Sequence, residues 1–142
     1  MRWEEPKTFL WFRHCVVRQK QPFHDTFPIH KNRIKEMGLV CTPCTYVRLD
    51  GRSSAGELRG EIGFEIKPTL EDKAAFNHLK YGSLEVMQPC LFAVIESSAD
   101  DEWACFSYIH LFKKYGIEPI GPTMERYNES SDVVQLLVPI QS

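Results

Sequence analysis

The chain has 142 residues, 43% of them hydrophobic and 25% charged, which suits one folded domain and excludes wholesale disorder. Seventeen lysines and arginines against nineteen acids leave a net charge of −2, so no basic excess exists to neutralise a phosphate backbone and direct nucleic-acid binding is disfavoured. Apolar runs such as Phe9-Leu10-Trp11-Phe12 are too short to span a bilayer, residues 1–14 lack the order of a signal peptide, and the five cysteines are scattered and odd in number. A cytoplasmic chain with free thiols is the expectation.

In chain order, Thr8 to Val17 reads as a strand. A helix follows from Asp25 or Thr26 to Met37, with Pro28 tolerated in its first turn and Gly38 ending it. Phe27, His30, Ile34 and Met37 fall at helical spacing and define its inner face. Strands come next at Thr45–Asp50 and Leu58–Ile66, where Ile62, Phe64 and Ile66 alternate with Glu61, Gly63 and Glu65. Residues 68–83 read as a linker from Pro68 to Tyr81-Gly82-Ser83. Glu85 to Glu96 then reads as one strand. A second helix spans about Asp100 to Tyr115, stopped by Gly116; its apolar stripe of Cys105, Phe106, Ile109 and Phe112 is widened by Trp103, Tyr108 and Leu111, so burial on more than one side is expected. Strands at Met124–Asn128 and Val133–Ile140 close the chain.

These elements repeat. At an offset of 78, Gly38 falls on Gly116, Thr45 on Thr123 and Arg48 on Arg126, and each half reads strand–helix–strand–strand. The expected fold is α+β: two similar modules, about 6–67 and 84–141, related by a pseudo-twofold axis, with largely antiparallel sheet, packed as one domain over 1–142.

Several chemical signals do not develop. Cys41-Thr42-Pro43-Cys44 follows a helix end instead of opening a helix, which is the wrong place for a lowered thiol pKa, so it reads as a turn. A zinc site would need a second ligand pair, and His14, Cys15, His24 and His30 lack recognised spacing. No Gly-x-Ser-x-Gly elbow marks a hydrolase triad. No metal, cofactor or catalytic residue is assigned from spacing.

Tyr115-Gly116-Ile117-Glu118-Pro119 through Glu125-Arg126-Tyr127, then Val134 to Val138-Pro139-Ile140, resembles the end of the bacterial GyrI-like effector-binding domains. Leu84 to Val94 is similar to the strand that opens their second module, and the first half follows the same plan. The resemblance implies a cavity between the modules, walled by aromatic rings, holding a buried glutamate and taking lipophilic organic cations. Because Met1 lies a few residues ahead of the first strand, it also implies a stand-alone binding module without a DNA-binding region. Glu125 matches the glutamate of the family's Glu-x-Tyr strand and stands at the position equivalent to Val47. A cationic ligand would meet its charge, with rings holding the ligand by apolar and cation–π contact. The plain alternative places Glu125 on a solvent-facing strand, paired with a lysine or arginine. Glu61 and Glu65 are competing carboxylates, expected on an exposed face.

The candidate ring walls are Trp11, Tyr46, Phe64, Phe92, Trp103, Tyr108 and Tyr127, against ordinary core packing for most of them. Tyr46 and Tyr127 stand out because a tyrosine offers both a face and a hydroxyl. Two alternatives stay open beside the binding module. Some members of the family hydrolyse strained cyclopropane-containing toxins, for which Glu125 would be the base and Tyr127 or Trp103 its partner. The family name, after gyrase inhibition, implies a protein-interaction role, for which the broad second helix would serve; a homodimer would use it equally.

Overall fold

The structure is a computed structural model that describes residues 1–18, 27–52, 58–67, 82–98, 112–128 and 133–141. Its strands are β1 (Arg2–Trp3), β2 (Lys7–Arg18), β3 (Cys44–Arg52), β4 (Leu58–Ile66), β5 (Gly82–Met87), β6 (Cys90–Ser98), β7 (Met124–Asn128) and β8 (Val133–Ile140), with α1 (Phe27–Glu36) between β2 and β3. They form one antiparallel sheet in the order β1-β6-β8-β7-β3-β4-β2-β5. Helix is sparse among the described residues, so the fold is mostly β.

The sheet must curl. From β1 to β2 is six strand spacings, about 29 Å along the sheet at about 4.8 Å each. Yet only three residues lie between Trp3 and Lys7, four steps along the chain with a reach of about 14 Å. Curling brings the two ends together, and Trp3 accordingly stacks on Phe9 of β2 at 5.6 Å while meeting Phe92 of β6 at 4.7 Å. Inside the curl lie Trp3, Phe9, Trp11, Tyr46, Phe92, Met124 and Leu137. The outer face carries a second apolar cluster that includes Leu10, Phe12, Val47, Ile62, Phe64, Leu136 and Val138, and α1 lays Phe27 and Ile34 on it. Both faces are therefore buried, each large side chain contributing roughly 1.5–3 kcal/mol.

The expected inner face of α1 is realised: Phe27, His30 and Ile34 are buried and Met37 packs at the margin. Gly38 adopts φ 76°, and the Leu39 amide donates to the Ile34 carbonyl at 3.2 Å. Residues 112–115 form a helical turn closed the same way, with Gly116 at φ 64° and the Ile117 amide on the Phe112 carbonyl at 2.9 Å. The expected caps Asp25 and Thr26, and most of the second helix, lie outside the described residues. Gly38→Ala forces a Cβ into the left-handed region with no neighbour to repel it, so a loss of about 1 kcal/mol is expected in urea unfolding.

Two expectations are corrected. The single strand from Glu85 to Glu96 is two, because Pro89 lacks an amide hydrogen and holds Gln88 out of the ladder. β5 continues from β2 and β6 pairs β1 and β8, at opposite ends of the sheet. β5 begins at Gly82, inside the stretch expected as linker, and β1 is a further strand that the sequence pattern does not mark. The Cys41–Cys44 segment bends at Pro43: Cys41 forms an isolated bridge with Ile66 and Cys44 opens β3. The two cysteines pack toward opposite faces of the sheet. No helix among the described residues is long and apolar enough to cross a membrane.

Candidate functional site

Strand alternation on β7 turns Met124 into the curl and places Glu125 and Tyr127 outward under the helix-covered face. Glu125 is 1% exposed. The solvent-facing alternative is thereby excluded. Register pairs it with Val47 on β3 and Leu136 on β8, which continues one cross-strand row: Phe12–Ile62–Val47–Glu125–Leu136–Ile95. Every other member of that row is apolar. The Tyr127 hydroxyl donates a hydrogen bond to Glu125 Oε2, and its ring lies 5.4 Å from Phe27 of α1. A buried carboxyl group is tolerated where hydrogen-bond partners meet it, and the Tyr127 hydroxyl is one of them.

The proposed rings divide between the faces. Phe64 shares the outer face with Glu125, in the row Leu10–Phe64 and, one strand over, Thr45–Tyr127–Val134. Trp11, Tyr46 and Phe92 lie inside the curl, packed against Trp3 and Phe9, so the sheet separates them from Glu125. Trp103 and Tyr108 lie outside the described residues. Period-two alternation reveals that Leu10 and Trp11 point apart, but only register reveals which of them shares a side with Glu125.

Charges on the inner side are committed to one another. Arg48 rests 3.7 Å from the Trp11 ring centre and pairs with Glu61 at 3.3 Å and Glu85 at 2.9 Å, while Lys7 pairs with Glu65 at 3.3 Å. Glu61 and Glu65 are thus half-buried ion-pair partners and not a free acidic face. Arg126 donates to Gln135 Oε1 at 2.7 Å and to the Tyr46 hydroxyl. Burial pushes Tyr46 up to about 12 despite that bond.

His30 stacks on Phe12 at 4.6 Å, and burial, aided by Arg33, lowers its pKa to about 4. Between pH 6.5 and 4 the unfolded chain therefore holds a proton that the folded chain refuses. Stability present above pH 6.5 is lost as pH falls through this window, by about 2 kcal/mol after allowance for partial screening. His30→Leu is expected to flatten that limb of a pH-dependent denaturation series relative to wild type.

An open cleft of about 470 Å³ lies at the β1 end, lined by Trp3, Pro89, Cys90, Ile120 and Ile140 among others. It does not include Glu125.

No family model and no curated relative matches the chain. Solved structures do. The crystal structure of the EcmrR C-terminal domain aligns with a TM-score of 0.64 and 12% identity, over 100% of this chain and 96% of that one. EcmrR in its cryo-EM complex with DNA aligns with a TM-score of 0.69 and 11% identity, over 100% of this chain and 57% of that one. At such identities the likeness defines the fold: that of the EcmrR C-terminal domain. The chain spans little more than half the length of the DNA-bound EcmrR chain.

Proposed function

We propose that the chain is a GyrI-like effector-binding domain that takes a lipophilic organic cation, with Glu125 as counter-ion and Tyr127 holding that carboxylate in place. The observation that carries this reading is a carboxylate only 1% exposed in a row of apolar side chains, on the face where α1 packs. A positive ligand with an apolar body meets both features of that layer at once. The shared fold with the EcmrR C-terminal domain agrees with it.

The reading includes a duplicated architecture of two modules. Matching β1 with β5, β2 with β6, β3 with β7 and β4 with β8 leaves every strand with equivalent neighbours, which supports it. The pair at the central seam, Val47 and Glu125, is 125 − 47 = 78 residues apart, the same offset as the sequence repeat. The site would then sit on the seam, with one carboxylate where perfect symmetry would require two.

A thermal-shift panel on the wild-type protein tests the charge preference. Alkyltrimethylammonium ions should raise the melting temperature, and their neutral carbon isosteres should not. Equal shifts from both would sink the counter-ion role. The Tyr127–Glu125 hydrogen bond also favours a second reading, in which the pair directs water at a strained electrophile. Turnover of a cyclopropane-containing substrate, lost in Tyr127→Phe while cation binding persists, would single out that chemistry.

A further inference from the structure

Most charges on the described strands have partners. Lys7 pairs with Glu65, Arg48 pairs with Glu61 and Glu85, and Arg126 and Glu96 both bond Gln135. Arg2 and Glu4 differ. Both are exposed, and neither side chain makes a hydrogen bond or ion pair among the described residues, although only Trp3 stands between them. Their Cα atoms are at most about 7 Å apart. Both residues line the open cleft at the β1 end of the sheet.

The rest of that cleft is largely apolar and is positioned by the strands. β1 sets Arg2 opposite Leu91, and β8 sets Ile140 on the far side of Leu91, so one cross-strand row runs Arg2–Leu91–Ile140. Pro89 and Ile120 add to the lining. The Ile120 amide donates to the Pro139 carbonyl at 2.9 Å, which ties the backbone down, yet the residue stays 62% exposed. Leu91 and Ile140 beside it are half-buried. The cleft therefore offers apolar surface to be covered, and its volume of about 470 Å³ falls within the roughly 300–1,000 Å³ of small-molecule sites.

We infer that this cleft is a second ligand site, separate from Glu125, and that it takes a free apolar α-amino acid. The Arg2 guanidinium receives the α-carboxylate, whose two oxygens match its fork, and Glu4 receives the α-ammonium. The ligand's side chain lies on Leu91, Ile120 and Ile140. Charge decides the class: a lipophilic cation would set a like charge near Arg2, and an anion would do the same at Glu4. A zwitterion answers both. The site stands apart from the Glu125 row, because Leu136, the register partner of Glu125, is four residues from Ile140 along β8, about 13 Å.

The test is an amide NMR titration of the wild-type protein with L-leucine. Saturable shifts are expected at Leu91, Ile120 and Ile140, with a dissociation constant on the order of 1 mM for so small a ligand. Leucinamide lacks the carboxylate and N-acetylleucine lacks the ammonium, so each should bind about fivefold more weakly, the loss of one partly screened ion pair. Arg2→Gln should weaken leucine about fivefold without weakening leucinamide. Glu4→Gln should weaken leucine to the same degree without weakening N-acetylleucine. Both positions are exposed, so the fold is retained in either variant. Glu125→Gln should bind leucine as wild type does, which keeps this site distinct from the cation reading. Absence of shifts at Leu91, Ile120 and Ile140, or leucinamide binding as tightly as leucine, would overturn the inference. So would leucine shifts confined to Val47 and Leu136 beside Glu125.

Discussion

Gly63→Ala is expected to lower folding stability by about 3 kcal/mol, the upper part of the usual range for overpacking. A Cβ at position 63 would stand 2.7 Å from Trp11 Cδ2 and nearer still to Cε3 and Cζ3. The indole has no room to yield. Register fixes Trp11 opposite Gly63, Phe9 stacks on it at 5.5 Å, and the Arg48 guanidinium lies 3.7 Å from its ring centre. Relief requires Trp11 to leave its rotamer, and that would disturb the Arg48 pairs with Glu61 and Glu85 as well. Gly121→Ala is the control: its Cβ would meet Pro139 Cγ at an ordinary 3.6 Å, so a change within about 0.5 kcal/mol is expected. Urea midpoints of both variants against wild type decide it, and a Gly63→Ala midpoint equal to that of the control would show that the ring moves freely.

Glu125→Gln is expected to weaken cation binding at least tenfold. Two unit charges 4 Å apart attract by about 4 kcal/mol in an effective dielectric near 20, and an amide keeps only part of that as a dipole. A tenfold loss corresponds to about 1.4 kcal/mol, well inside the difference. The amide preserves shape and its oxygen still accepts from the Tyr127 hydroxyl, so packing against Val47 and Leu136 is retained. Melting curves without and with an alkyltrimethylammonium ion separate lost binding from any change in the free protein. A variant that binds as wild type would dismiss the carboxylate as counter-ion.

How far the sequence could be read depended on whether a feature was local. Gly38 and Gly116 announce helix ends by themselves, since a left-handed residue after an apolar stripe is a local event. Leu58–Ile66, Met124–Asn128 and Val133–Ile140 follow from alternation and occur with the expected bounds. The break at Pro89 was also locally marked, but the apolar residues on both sides read as one run. β1, two residues long, has no periodicity to find. Glu125 stood out in the sequence because a carboxylate replaces the valine of the matching position. The rings were not legible because both faces of this sheet are apolar: Trp11 and Phe64 look alike in sequence, and only the curl assigns one to the interior and the other to the side of Glu125. Gly63 read as the polar half of an alternation, while its actual role is to seat the Trp11 ring. A glycine between Glu61 and Glu65 inside a strand was the signal available for that close approach.

The most direct measurement is a crystal structure of the protein with octyltrimethylammonium bound. The account places the quaternary nitrogen within about 5 Å of the Glu125 carboxylate, the separation at which opposite charges favour one another strongly. A cation held instead in the cleft beside Pro89 and Ile120, with the layer around Glu125 unchanged, would contradict it.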